Sequence, residues 1–471
     1  MFEVLGNKRV LVKLISIVLL FIMFLIGETR AEEDGNNFVD YVSIYNQKNR
    51  PTDYKEDDNA ATHYQKAIEA LLRAPQEIGY DYWRIWPGDF SKQNLQATRQ
   101  WVKSNSLALE YLTQASKKPY FWTENKSSNG SVLGILLPDL AGIKNLTQLT
   151  CCRAMLEAMD GSISNAAKDI ETVYRVGNHF NGPQQTIEQM VGISAKVRVI
   201  ETVIMILQNT HIGKKEREYL YNSLKKYIDD EEFTPDLFAM KLMCLDCLQR
   251  MYILNKDGQR VIDEKSSQIQ LALFRLHCTA LMFLDFDSIE QHHKPKLLKM
   301  DYEKAKELIT EKFEQLEKMM ASEAWQLNET MNQKHGVLQS IQESHPLLNI
   351  LVIEAINLKF SAYERLRAQT LALDTIMSVL TFKENKGRLP LNLSELQEAG
   401  LLEKVPIDPF SGKPIEYKKL DDNFTVYSYG LDFDDDGGVR VGVRVVDFDI
   451  HNGDLVVWPV KKYKEIVPKQ K

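Results

Sequence analysis

Leu380-Thr381-Phe382-Lys383-Glu384-Asn385-Lys386-Gly387-Arg388-Leu389-Pro390 is the stretch at which this chain changes character. Upstream, from Asn59 to Glu384, apolar residues recur at spacings of three and four, the period of amphipathic helices. Downstream, prolines arrive at 390, 406, 409 and 414, and short alternating runs take over. Ile415-Glu416-Tyr417-Lys418 and Phe424-Thr425-Val426-Tyr427 flank a turn at Asp421-Asp422-Asn423, a hairpin signal. Val439-Arg440-Val441-Gly442-Val443-Arg444-Val445 alternates strictly, and Leu455-Val456-Val457-Trp458 reads as a further strand. The expected fold is mainly α: an irregular α-helical array followed by a small α+β module with an antiparallel sheet.

Within the array, helices are expected over 60–74, 91–116, 139–159 and 164–180, then over 184–208, 213–228, 235–255, 267–285 and 302–320. A long helix follows from Pro346 to Glu384. No strict repeat period runs through them, so a regular solenoid is not expected. Tyr120, Phe121 and Trp122, like Tyr80, Tyr82, Trp83 and Trp86, sit in loops and are read as pins that hold those loops to the core. These signals divide the chain into a helical domain over 59–345, a long helix plus α+β module over 346–460, and a basic tail over 461–471.

The N-terminus reads as a targeting segment. Lys8, Arg9 and Lys13 precede the uncharged run Leu14–Gly27, and Glu28-Thr29-Arg30-Ala31 closes it as a cleavage site would. The run is short for a bilayer span, which favours a signal peptide over 1–31 and leaves a signal-anchor as the alternative. Membrane contact is expected only if the segment is retained. Residues 32–58, acidic and polar, read as a linker. The body is thus expected outside the cytosol, periplasmic or extracellular. A net charge of −7 over 471 residues offers no dominant basic face, so nucleic acid is not an expected partner.

Five cysteines are few for a disulfide scaffold and odd in number. Cys244-Leu245-Asp246-Cys247 has redox spacing but falls inside a helical pattern, where a structural role is expected. His292-His293 has no partners at metal-ligand spacing, and no HExxH, P-loop, GxSxG or GxGxxG signature is present.

Residues 365–459 carry a specific order of motifs. The helix ending in Leu380-Thr381-Phe382 leads to Gly387-Arg388-Leu389-Pro390 and Leu393-Ser394-Glu395-Leu396. Val405-Pro406-Ile407-Asp408-Pro409-Phe410 and Gly412-Lys413-Pro414-Ile415-Glu416-Tyr417 come next, then Phe424-Thr425-Val426-Tyr427-Ser428-Tyr429-Gly430 and an acidic glycine loop. This stretch resembles the globular part of the major pseudopilin of type II secretion systems. The chain as a whole resembles exported bacterial proteins that join a helical N-terminal region to the same tail. The resemblance implies a last loop that binds calcium and pins the C-terminal strands. The leader lacks the prepilin pattern, since Gly6 is followed by Asn7 and the fifth residue onward is Leu11. The module is therefore expected as a borrowed fold and not as a fibre subunit.

Asp432, Asp434 and Asp436 followed by Gly437 match the first half of an EF-hand loop, but Val443 stands where the bidentate glutamate belongs. Ser428 and Asp454 are the further candidate ligands. Nine aspartates between 421 and 454 face two arginines, a density that favours a bound cation over a bare solvated turn. The expected function is that of a non-enzymatic envelope protein, a helical scaffold for envelope or secreted proteins or peptides, with a calcium-stabilised module. An exported hydrolase built on carboxylates such as Glu110, Asp139, Glu157, Asp169 and Glu171 is one alternative. An accessory component of secretion or pilus machinery is another.

Overall fold

A computed structural model describes residues 38–75, 92–282, 300–331, 336–439 and 453–459. The signal segment, His292-His293, the basic tail and all but the first residue of the expected strand at 439–445 lie outside the described residues. So does nearly all of the aromatic loop at 75–90.

The first helix, α1 (Tyr41–Asn49), corrects the expectation of a bare linker over 32–58. Its buried residues are Tyr41 and Tyr45, four apart, which is one turn of helix. The Tyr45 hydroxyl donates to Glu188 Oε2 at 2.6 Å, and Val39 exchanges two hydrogen bonds with the Gln249 amide. Thus the segment is bound by polar anchors that lie far away in sequence. α2 (Ala61–Glu69) follows. The helix expected over 91–116 divides into α3 (Lys92–Ser104) and α4 (Ser106–Ala115) at Asn105. Asn105 is buried there because its amide bonds backbone groups, accepting from Leu72 N at 2.7 Å and donating to Trp101 O at 2.9 Å.

Three long helices, α5 (Leu140–Met159), α6 (Ile163–Asn178) and α7 (Thr186–Asn209), pack mutually at the centre of the body. The crossing of α6 and α7 requires glycine. A Cβ at Gly177 would lie 2.8 Å from Gly192 O, and one at Gly192 would lie 2.7 Å from Phe180 Cβ. α8 (Lys214–Ile228) lies on α6.

α9 (Phe238–Gln249) ends sooner than the 235–255 pattern suggested. The chain then forms a hairpin, β1 (Tyr252–Leu254) paired antiparallel with β2 (Arg260–Ile262). Asn255 Oδ1 accepts from the N–H groups of Asp257 and Gln259, and Gly258 takes the left-handed conformation that closes the turn. This small sheet inside the array was not expected. α10 (Glu264–Met282), α11 (Tyr302–Met320), α12 (Ala324–Met331) and α13 (Val337–Ser344) complete the body.

The long helix is present as α14 (Pro346–Leu358), a π-helical turn (Lys359–Glu364) and α15 (Arg365–Lys386). Gly387, left-handed, caps it. After α16 (Ser394–Glu398) come β3 (Glu416–Leu420), β4 (Asn423–Ser428) and β5 (Leu455–Trp458), antiparallel in the order β3-β4-β5. β4 is buried along most of its length because α15 covers its face. The architecture is mainly α with a small C-terminal antiparallel sheet, as the sequence predicts. Among the described residues, no helix is long and apolar enough to cross a membrane.

Candidate metal centre

The acidic loop leaves β4 through Tyr429 and a short helical turn, Gly430–Asp432. Phe433 then adopts a left-handed backbone, φ 65°, a conformation that costs a side-chain-bearing residue about 1–2 kcal/mol. Its ring explains why the conformation holds. The ring packs edge-on against Phe360 at 5.2 Å and against Phe410 at 5.6 Å between centroids. With Phe433 turned inward, its neighbours Asp432 and Asp434 stay near the surface.

One carboxylate oxygen from each of Asp432, Asp434 and Asp436 lies within 4.8 Å of the others. Calcium holds oxygens at roughly 2.3–2.6 Å, so two ligands of one ion can stand up to about 5 Å apart. The three oxygens satisfy that limit. The donor set is hard and anionic, with Asp432 half-buried and Asp434 and Asp436 exposed, a set that could hold a metal ion.

The other two expected ligands are engaged differently. Ser428 is buried; its hydroxyl donates to Asp408 Oδ1 at 2.5 Å and accepts from Gly430 N at 3.2 Å. Asp454 is buried too, and accepts from Gly438 N at 2.6 Å and from Asp436 N at 3.4 Å. Both therefore shape the loop from behind its three-aspartate rim. Burial raises the Asp454 carboxyl to about 6, against those two N–H bonds, and the charges of Asp435 and Asp436 push the same way. Asp432 Oδ2 also accepts from Gly453 N at 2.6 Å, which ties the loop to the start of β5.

Two residues outside the expected set prove central. Asp408 is buried and accepts from Ser428 Oγ, from the N–H of Phe410 and Ser411, and from Tyr429 N. It joins the loop before β3 to the end of β4. Asp435 accepts from the Tyr427 hydroxyl and Gly437 N, both at 2.9 Å, and so faces away from the three-aspartate rim. The run Ile407-Asp408-Pro409-Phe410 was visible in the sequence, but its partners lie 20 residues downstream and no periodicity links them.

Of the other carboxylates weighed from the sequence, Glu157 lies near enough to Asp169 for its charge to raise the Asp169 carboxyl, after the larger effect of burial. Asp169 forms a two-point pair with Arg153, and Glu171 pairs with Arg175 and Lys226. Glu157 accepts from Asn165, and Glu110 from Gln114. Asp139 precedes α5. A cleft of about 420 Å³ is lined by Lys117, Lys118, Arg175 and His179 among others, and so is cationic. Burial pushes the His179 imidazole below its ordinary value, against the hydrogen bond to the Lys118 carbonyl. Its Nε2–H donates to the Lys118 carbonyl at 2.9 Å, which leaves Nδ1 to accept from the Tyr64 hydroxyl at 2.6 Å.

Cys151, Cys152, Cys244 and Cys247 are free and buried, and burial pushes every one of these thiols up, away from reactivity. The aromatic loop after α4 packs inward, with Phe121 against Tyr64 at 5.1 Å and against Phe180 at 5.5 Å. Trp122 packs edge-on against Tyr54 at 5.3 Å, and the Arg50 guanidinium lies over both rings. These rings pin the loop to the body.

No protein-family model matches the chain, and no curated protein or solved structure matches it.

Proposed function

We propose that this chain is an exported, non-enzymatic scaffold of the cell envelope, whose helical body engages envelope or secreted proteins or peptides. In this reading its C-terminal module is a pseudopilin-like fold that calcium holds in shape. The observation that carries the proposal is the convergence of Asp432, Asp434 and Asp436 on one point beside buried Asp454. Repulsion among these carboxylates is relieved by a cation, and the loop joins the end of β4 to the start of β5. Asp432, Asp434 and Asp436 would hold the ion, while Ser428 and Asp454 fix the backbone on which they stand. The ion would supply charge neutralisation and a cross-link between strands.

The order of long helix, short helix and three antiparallel strands is the support for the pseudopilin likeness. Export is supported by the basic and apolar N-terminus alone. Calorimetric titration of calcium into the full chain tests the site. A single saturable event in the wild type, lost in Asp432→Ala, is the expected result. Heat that is unchanged by the substitution would refute the assignment.

A further inference from the structure

The long helix that joins the body to the module contains one abnormal turn. Among the described residues, only Lys359–Glu364 is π-helical, with regular α-helix on both sides. Lys359 Nζ lies 2.6 Å from Glu364 Oε1, and both side chains are buried. Their spacing of five is informative. In an α-helix, residues five apart point about 140° away from each other, so such a pair cannot close. A π turn bonds i to i+5 and brings them onto one face.

Burial makes the pair binding on the backbone. Neither Glu364 oxygen has a hydrogen-bond partner, so its compensation is ionic, from Lys359 Nζ at 2.6 Å from Oε1 and Arg367 Nη1 at 3.7 Å from Oε2. Lys359 also donates to Phe233 O at 3.1 Å. If the turn relaxed to α geometry, the two charges would lose their closest compensation inside the protein, leaving Glu364 with the more distant Arg367 and Lys359 with the Phe233 carbonyl.

The π register also orients the module. A π turn holds one residue more than an α turn, so it rotates α15 by about 100° relative to α14. Within it, Tyr363 donates to Gln189 of α7 at 2.8 Å, while Phe360 meets Phe433 of the acidic loop. One turn thus addresses the body and the loop at once.

We propose that the Lys359–Glu364 ion pair is a register lock at this joint. Closed, it holds the π turn that presents Phe360 to Phe433; opened, the turn reverts to α register and Phe433 loses the Phe360 side of its seat, with Phe410 left as the other. The inference stands on packing and does not depend on the loop binding a cation.

Hydrogen–deuterium exchange on the full chain without added metal tests it, read in peptides covering 355–368 and 428–438. Lys359→Met together with Glu364→Met removes both charges at similar volume. The expected result is a protected 355–368 in α register, with exchange over 428–438 at least tenfold faster than wild type. Glu364→Gln, nearly isosteric, serves where the double variant does not fold, and should also accelerate 428–438 at least tenfold. Phe433→Ala should accelerate 428–438 while leaving 355–368 at the wild-type rate, because the lock lies within the helix. Wild-type exchange over 428–438 in a folded lock variant would overturn the proposal, as would loss of protection over 355–368 in Phe433→Ala.

Discussion

The helical body and the C-terminal module deal with concentrated charge in different ways: the body buries it, and the module crowds most of it at a surface rim. In the body, buried ions are matched by side chains. Lys196, fully buried on α7, donates to Glu231 at 2.7 Å and to Asn181 at 2.8 Å, and Glu231 also accepts from the Tyr174 hydroxyl. Asp246 accepts from Ser131, Val132, Gln249 and Arg250. In the module, the acidic loop is held by backbone N–H groups and the Tyr427 hydroxyl, with one buried carboxyl raised to about 6 and three carboxylates crowded beside it. The body balances its buried charge internally, whereas the three-aspartate rim, in the proposed reading, takes its balance from a cation. Perturbing charge should therefore act oppositely in the two regions.

The largest expected effect is in the body. Lys196→Met leaves Glu231 buried and uncompensated, which costs about 3–5 kcal/mol when one partner of a buried pair is removed. Urea unfolding measures it, and the loss should be the same with and without calcium. A calcium-dependent loss would break the division between the regions.

Next in size is the crossing of α6 and α7. Gly192→Ala drives a methyl toward Phe180 Cβ and Gly177 O, and overpacking of this kind costs about 1–3 kcal/mol. A midpoint shift with an unchanged urea slope is expected.

The module gives a pH signature of defined sign. Asp454 has a folded-state value of about 6, above the ordinary carboxylate value. The folded form therefore binds more protons than the unfolded form between about pH 4 and pH 6, and metal-free stability should fall as pH rises through that window. Asp454→Asn should flatten this part of the profile, and a slope unchanged by the substitution would contradict the assignment. The smallest effect is at the surface. Arg99→Ala removes an exposed pair with Asp160 and should change stability by less than about 1 kcal/mol.

The sequence shows the two regions with unequal clarity. Helices over 184–228 and 302–320, and the strands at 416–428 and 455–458, were legible from local periodicity, since each has a face that must be buried. α1 was missed because two tyrosines make a thin apolar stripe and its anchors, Glu188 and Gln249, are distant. The β1–β2 hairpin carried an Asp257-Gly258 turn signal, but the apolar run before it continued the helical pattern of α9. The π turn leaves no trace in a period that two α-helices share on either side of it. At the candidate site the three aspartates were readable because they are close together in sequence. The roles of Asp408 and Asp454 were not, because each is fixed by backbone groups that only the folded sheet brings near.

Thermal unfolding of the full chain in calcium and in chelator, for wild type and Asp432→Ala, tests the central claim most directly. A ligand that binds only the folded state at a hundredfold excess over its Kd adds about 2.7 kcal/mol. Calcium should raise the wild-type midpoint by several degrees and leave the Asp432→Ala midpoint nearly unmoved. Coincident wild-type curves in calcium and chelator would show that the module is as self-sufficient as the body, and the account would fail.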